Sequence, residues 1–132
     1  MVKKFDHVAL AVRSSGETLA VLSRLFGFET VEIRSDPEAG FRSTLISKGD
    51  VRLELLEPDG VQGMVQRFLE KRGEGMHHIS LQVTDLDEEM ARLKAMGVQF
   101  LSEAPAIIDG AKVIFIHPRS AGGLLFELTQ RQ

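Results

Sequence analysis

The amino-acid sequence predicts an α+β protein in which a βαβββ module is written twice in tandem. The segment FDHVALAV at residues 5–12 is echoed by MHHISLQV at residues 76–83, and 71 residues separate His7 from His78. A similar spacing of 73 residues separates Glu54 from Glu127. The segments RLFGF (24–28) and KAMGV (94–98) end two predicted helices in the same way. A period shared by several landmarks indicates an internal duplication.

The first module is expected at about residues 4–58. Its first strand, 5–12, is a nearly continuous apolar run, as in a strand buried on much of both faces. A helix follows, capped by Ser14 or Ser15, with leucines at helical spacing and Gly27 at its end. Strands are then predicted at 28–34, 41–47 and 51–56, the last two joined by a hairpin turn at residues 48–50.

A short amphipathic helix at 61–72 is predicted to connect the modules, and the residues of its apolar face are Val61, Met64, Val65, Phe68 and Leu69. The second module, at about 75–130, repeats the order of the first. It begins with a strand at 76–83 and a helix at 86–96, and further strands are expected at 98–101, 112–117 and 124–129. The length of 132 residues suits one domain, so we expect a single domain over 1–132.

Composition excludes several functional classes. A hydrophobic content of 43% with 27% charged residues is ordinary for a globular protein, and the net charge of −3 argues against a nucleic-acid partner. The chain has no cysteine, which rules out a disulfide framework and a thiolate nucleophile and fits a reducing compartment. No apolar segment suits a signal peptide or a bilayer span. We therefore expect a soluble, cytoplasmic protein with no membrane partner.

Four polar side chains stand inside otherwise apolar strands: His7, Glu54, His78 and Glu127. Taken singly, each would more often be a hydrogen-bonded core residue or a residue on a solvated face. A buried carboxylate is retained only with a partner, however, and each module contributes one His and one Glu from matching positions. A duplicated fold brings the first and last strands of the two halves together about a pseudo-two-fold axis. The four side chains therefore predict a site for a divalent transition-metal ion.

The adjacent histidines at 77 and 78 are expected to have different roles. Alignment of DHVALAV with HHISLQV places His78, rather than His77, opposite His7. Neighbouring residues of a strand point to opposite faces, so only one of the pair can enter the same site. We expect His78 to be the ligand. His77 takes the place of Asp6 and is expected to be structural or to support a ligand.

A loop near the C-terminus, HPRSAGG at 117–123, offers three candidate substrate-binding residues, His117, Ser120 and Gly122. Backbone N–H groups in its SAGG segment could hold an anion. A plain turn is a somewhat stronger interpretation of that segment. For His117, a hydrogen bond that supports the loop is at least as well favoured as contact with substrate.

Five segments together resemble the vicinal oxygen chelate superfamily, which includes the glyoxalases, and within it the methylmalonyl-CoA epimerase family. They are DHVALAV (6–12), ELLEP (54–58), GEGMHHISLQV (73–83), GA (110–111) and IHPRSAGGLLFEL (116–128). The resemblance runs nearly from end to end of the chain. It implies a curved, incomplete-barrel sheet wrapped around a metal-centred cleft.

The resemblance also implies a chemistry. His7, His78 and Glu127 would hold a divalent ion (cobalt, manganese, nickel or zinc), with Glu54 at the fourth position. The substrate would be an acyl-CoA thioester, namely methylmalonyl-CoA of propionate metabolism, epimerised through an enolate. Some epimerases carry a glutamate on the third strand of the first half, but this chain has FRSTL at 41–45. Glu54 and Glu127 are therefore the candidate pair of catalytic bases, and Glu57 is a weaker candidate.

Alternative functions remain open at this point. A lactoylglutathione lyase would use the same four ligands and the same enolate chemistry. A ring-cleaving dioxygenase is less favoured because it would use two His and one carboxylate around iron. A drug-sequestering binding protein of the same fold would need no metal, and the retention of both His and both Glu weighs against it. Exposed edge strands favour a homodimer.

Overall fold

The computed structural model describes residues 1–60, 62–108 and 110–132. Within them the chain forms eight β-strands, three α-helices and a short 3-10 helix at Pro118–Ser120. In chain order the elements are β1 (Val2–Ala11), α1 (Ser15–Phe26), β2 (Glu29–Asp36), β3 (Phe41–Lys48), β4 (Val51–Pro58), α2 (Met64–Arg72), β5 (Gly75–Val83), α3 (Leu86–Ala95), β6 (Ala106–Ile108), β7 (Ala111–Ile116) and β8 (Phe126–Gln130). The order βαβββ, helix, βαβββ confirms the predicted fold class.

The described residues divide into two compact units. One is the His7–His77 unit, and the other, called the His78–Gln132 unit, also includes Met1–Asp6. Among the described residues, none of the helices combines the length and apolar character needed to cross a bilayer.

In the His7–His77 unit the strand order is β2-β3-β4-β1, with β1 parallel to β4 and the other pairs antiparallel. Because side chains alternate along a strand, Leu55 and Leu56 point to opposite faces of this sheet. Leu55 belongs to a core cluster, and leucines of α1 pack against that cluster. Its members are Val12, Phe28, Ile46 and Leu55. Leu56 belongs to a second core cluster, to which α2 contributes two residues. Its members are Ala9, Ala11, Leu56, Val65 and Leu69.

Both helices of this unit have sequence-specific ends. Ser14 caps α1, since its side chain accepts a hydrogen bond from the Glu17 N–H, and Gly27 ends the helix at φ +81°. The α2 helix begins after Gly63, where an added Cβ would lie 2.3 Å from the carbonyl oxygen of Ala39. Gly63 is therefore required by the close approach of two backbone segments rather than by its φ angle.

In the His78–Gln132 unit the strand order is β5-β8-β7-β6, with β5 parallel to β8. Helix α3 packs on this sheet through a buried cluster: Val83, Leu86, Met90, Ile114 and Leu128. The N-terminal segment is held by Asp6, whose buried carboxylate accepts hydrogen bonds from Arg131 at 2.8 and 2.9 Å and from Gln82 at 3.2 Å. This ion pair joins the two ends of the chain.

Helix α3 carries a buried carboxylate of its own, Glu89, which is 4% exposed. It accepts a 2.9 Å hydrogen bond from Nε of Arg92 and a further bond from the N-terminal ammonium of Met1. The Arg92 guanidinium, with help from the N-terminal charge, lowers the pKa of the Glu89 carboxyl despite the opposing effect of burial. Glu89 is therefore charged and paired at neutral pH.

The predicted strand at 98–101 is wrong. Only Phe100 pairs there, in an isolated bridge to Ile116, and the regular partner of β7 at this edge is β6, which was not predicted. Two backbone hydrogen bonds, Leu101 N–H to Phe115 and His117 N–H to Gln99, mark the short contact. The chain then leaves the edge of β7 over residues 102–105 and pairs with it again from Ala106 as β6.

The connecting helix is shorter than predicted, because α2 begins at Met64 rather than at residue 61. Val61, placed on its apolar face by the sequence, lies outside the described residues. Several other boundaries move by one to three residues: β1 begins at Val2, β4 continues to Pro58 and β8 begins at Phe126. Element ends of this kind depend on tertiary hydrogen bonds that periodicity does not report.

Candidate functional site

The His7–His77 unit brings His7 and Glu54 together on one face of its sheet. In the parallel pairing of β1 with β4, Ala9 lies opposite Glu54, and His7 precedes Ala9 by two residues and so shares its face. His7 Nε2 and Glu54 Oε1 are 3.7 Å apart, and the two side chains are only 8% and 17% exposed. The sequence predicted both residues as ligands of one ion.

The chemistry and spacing of this pair fit a bound metal ion. A separation of 3.7 Å is longer than a hydrogen bond between these groups. Two ligand atoms that each lie about 2.0–2.2 Å from one ion can be at most about 4.4 Å apart. Imidazole nitrogen with carboxylate oxygen is a donor set that suits zinc, cobalt, nickel or manganese.

The His78–Gln132 unit repeats the arrangement within itself. In the parallel pairing of β5 with β8, Ser80 lies opposite Glu127, and His78 precedes Ser80 by two residues. His78 and Glu127 are 5% and 8% exposed, and the His78 ring meets the edge of Phe115 at a centroid distance of 5.1 Å. Each unit therefore presents one buried His and one shielded Glu in the same register.

Glu54 has a second partner, Ser43, that was not predicted from the sequence. The Ser43 hydroxyl donates a 3.0 Å hydrogen bond to Glu54 Oε2, the carboxylate oxygen other than the one near His7. The predicted turn at 48–50 could have revealed the contact, because it pairs Lys48 with Val51 and thus Leu45 with Glu54. Ser43 then falls on the same face, one diagonal step from Glu54.

Glu57, the weaker candidate base, is engaged elsewhere in the same unit. Its Oε1 accepts a 2.7 Å hydrogen bond from the Ser15 N–H at the first turn of α1. A carboxylate at this end of a helix satisfies a backbone donor that has no partner within the helix and interacts favourably with the helix dipole.

His77 is buried in the His7–His77 unit, where its ring meets the edge of Phe68 at a centroid distance of 5.0 Å. Burial lowers the pKa of His77, and the positive charge of Arg72 lowers it further. Arg72 itself lies over the Phe68 ring. These contacts give His77 a packing role in α2 and β5 as a neutral imidazole.

In the C-terminal loop, the three candidate substrate-binding residues are largely occupied by local structure. His117 Nδ1 accepts a hydrogen bond from the Arg119 N–H at 3.1 Å, and Ser120 Oγ accepts one from the Gln99 N–H at 3.0 Å. The N–H groups of Ser120 and Gly123 also donate within the loop, to His117 and Pro118. Gly122 is at φ +70°, as a turn requires. The geometry favours the turn over an anion cradle.

Comparison with known proteins gives consistent matches. A family model for the Glyoxalase/Bleomycin resistance protein/Dioxygenase superfamily matches residues 6–115. Human mitochondrial methylmalonyl-CoA epimerase is 34% identical over 129 residues, covering 96% of this chain and 73% of the relative. The ethylmalonyl-CoA/methylmalonyl-CoA epimerase of Cereibacter sphaeroides is 32% identical over 133 residues, covering 98% and 99%.

A solved structure extends the similarity to the fold. It is a variant of Streptomyces coelicolor methylmalonyl-CoA epimerase in complex with 2-nitronate-propionyl-CoA, and it matches with a TM-score of 0.89. Identity is 28%, and the match covers 99% of each chain. The chain thus shares the fold of epimerase structures over nearly its whole length.

Proposed function

The chain belongs to the Glyoxalase/Bleomycin resistance protein/Dioxygenase superfamily, and we propose that it is a metal-dependent methylmalonyl-CoA epimerase. It would interconvert the two epimers at the α-carbon of the thioester by removing and returning a proton. The proposal is supported chiefly by the 32–34% identity to curated epimerases over almost the entire chain. In addition, each unit presents one His and one Glu in matching register.

We assign metal binding to His7, Glu54, His78 and Glu127. The donor set of two imidazoles and two carboxylates, the 3.7 Å spacing of His7 and Glu54, and the shielding of all four side chains support the assignment. When bound, a divalent ion supplies Lewis-acid stabilisation of the negative charge that develops on substrate oxygen as the α-proton leaves. We propose cobalt, manganese, nickel or zinc as the ion, each of which can be tested by reconstitution.

The proton transfers are assigned to Glu54 and Glu127. Epimerisation needs one base for each face of the α-carbon, and a carboxylate can take a proton from carbon and return it. Residues 41–48 of β3 contain no carboxylate, and Glu57 is held at the start of α1. Glu54 and Glu127 occupy equivalent positions of the two duplicated units, as two bases that approach a carbon from opposite sides would.

We also propose a class of substrate, an oligomeric state and a cellular location for the protein. An acyl-CoA thioester is the expected substrate, since relatives with this name act on such thioesters and one of the matched structures contains a CoA derivative. A homodimer is expected because β2 is an edge strand with Val31 and Ile33 about half exposed. We place the protein in the cytoplasm, and we retain His117, Ser120 and Gly122 as candidate contacts for the substrate.

The experiment that tests this function supplies one epimer of methylmalonyl-CoA to the Co²⁺-loaded protein and follows the appearance of the other epimer by chiral analysis. The hemithioacetal of methylglyoxal and glutathione is supplied in parallel. Conversion of the CoA ester alone supports the epimerase. Conversion of the hemithioacetal alone would identify a lactoylglutathione lyase, and binding without turnover of either would identify a sequestering protein.

A further inference from the structure

The residue that distinguishes the two candidate bases is Ser43 on β3. Ser43 lies opposite Leu56 in the antiparallel pairing of β3 with β4, while Leu45 lies opposite Glu54. Ser43 and Glu54 therefore share a sheet face as diagonal neighbours, and the Ser43 hydroxyl donates to Glu54 Oε2 at 3.0 Å. Ser43 is 5% exposed, so the bond is shielded from competing water.

The two oxygens of the Glu54 carboxylate consequently have different surroundings. Oε1 lies 3.7 Å from Nε2 of His7, whereas Oε2 is held by Ser43. A glutamate side chain that is free to rotate loses conformational entropy when it is fixed. A hydrogen bond to a charged group is stronger than one between neutral groups, so the bond from Ser43 can offset that loss and select one orientation.

The other unit has no equivalent hydroxyl on its corresponding strand. There Phe115 lies opposite Glu127, and the residue two positions before it, Val113, lies opposite Thr129. Val113 thus occupies the register position that Ser43 occupies relative to Glu54. The duplication has kept the carboxylates alike and made their neighbours on the adjacent strand different.

We propose that Ser43 is a positioning residue that holds Glu54 with one oxygen directed toward the ion site beside His7 and the other retained by the hydroxyl. This inference rests on the proposed function, in which Glu54 is both a ligand and a base. Ser43 would fix Glu54 as a ligand through a single oxygen, the geometry from which a carboxylate can loosen to move a proton. Partners that orient a ligand in this way typically affect metal affinity by about 10–100-fold.

The test measures Co²⁺ affinity and the visible absorption spectrum of the Co²⁺-loaded protein in Ser43→Ala and Ser43→Thr. We expect Ser43→Ala to bind Co²⁺ about 10–100-fold more weakly and to show a shifted spectrum at saturation. Ser43→Thr keeps the hydroxyl and should restore both properties. Ser47→Ala, on the same strand and face but opposite Arg52, is the matched control and should resemble the wild type.

A purely structural role for Ser43 would lower the melting temperature of Ser43→Ala and leave its Co²⁺ affinity and spectrum unchanged, which would overturn the proposal. If Ser43→Ala does not fold, Ser43→Val takes its place with the same weakening expected, because valine has nearly the shape of threonine but no hydroxyl. Absence of Co²⁺ binding by the wild type would overturn this proposal and the metal assignment together. Normal Co²⁺ binding by the wild type without epimerisation would refute the proposed reaction alone, since the affinity comparison still decides the role of Ser43.

Discussion

Substitution of Glu54 by Gln separates its role as a base from its role as a ligand. The amide is nearly the same size as the carboxylate, and its oxygen can take the place of Oε1 near His7. Its NH₂ group can then donate to the Ser43 hydroxyl, which accepts as readily as it donates. The local structure is therefore retained, while the amide cannot remove a proton from carbon.

The expected magnitude follows from that difference. A positioned general base contributes about 10²–10⁴-fold to a proton transfer, or about 2.7–5.4 kcal/mol of transition-state stabilisation. We supply each epimer of methylmalonyl-CoA separately and expect Glu54→Gln to slow, by this factor, the incorporation of solvent deuterium into the epimer whose α-proton faces Glu54. The rate is followed by NMR with the protein saturated in Co²⁺, and bound Co²⁺ is measured in the same sample.

Glu57→Gln provides the matched control, because Glu57 lies on the same strand and is engaged at the first turn of α1. It should exchange protons at nearly the wild-type rate. If Glu54→Gln binds Co²⁺ and exchanges both epimers as fast as the wild type, Glu54 is not a base in this reaction. Loss of Co²⁺ together with loss of exchange would show that the amide cannot replace the carboxylate as a ligand.

Three further substitutions test the second base, the buried carboxylate of α3 and the close backbone contact at Gly63. Glu127→Ala removes a proposed ligand and base, so Co²⁺ binding and proton exchange should both be lost; a variant that keeps full activity without metal would contradict the mechanism. Glu89→Gln should lower the free energy of unfolding at pH 7 by about 1–3 kcal/mol, because a buried charged hydrogen-bond acceptor is lost. Since the folded-state pKa of Glu89 is depressed, its stabilisation is complete above the unfolded value of 4.5 and is lost as the pH falls through the folded-state pKa. Urea unfolding at pH 7 and below 4 should therefore show a smaller pH dependence in Glu89→Gln than in the wild type, and equal pH dependence would refute the assignment. Gly63→Ala should lower the free energy of unfolding by about 1–3 kcal/mol, because the added methyl group meets the Ala39 carbonyl oxygen. Gly16→Ala is the control and should not destabilise the protein, because its methyl group enters open space. Equal stabilities of the two variants would contradict the contact at Gly63.

The parts of the fold that the sequence predicted well are those set by a repeated local pattern. The echo of residues 5–12 in 76–83 and the His and Glu spacings led to the correct order of two βαβββ modules. Of the two predicted candidate caps, Ser14 and Ser15, the structure uses Ser14, and the predicted helix end at Gly27 is confirmed. Both features depend on a side chain or a φ angle of the residue itself.

What the sequence did not reveal depends on contacts between distant segments. Residues 98–101 have the composition of a strand, but only Phe100 pairs with β7 there, and the regular pairing begins at Ala106. The bond from Ser43 to Glu54 required the register of β3 on β4 and the side-chain rotamers of both residues. The register could be inferred from the predicted turn at 48–50, whereas the side-chain rotamers are known only from the structure.

Metal-dependent removal of the α-proton is tested most directly with the unsubstituted protein, Co²⁺, methylmalonyl-CoA and deuterated water, and the reaction is followed by NMR. We predict deuterium uptake at the α-carbon that depends on the ion and is abolished by EDTA. An absence of uptake while Co²⁺ is demonstrably bound would contradict it.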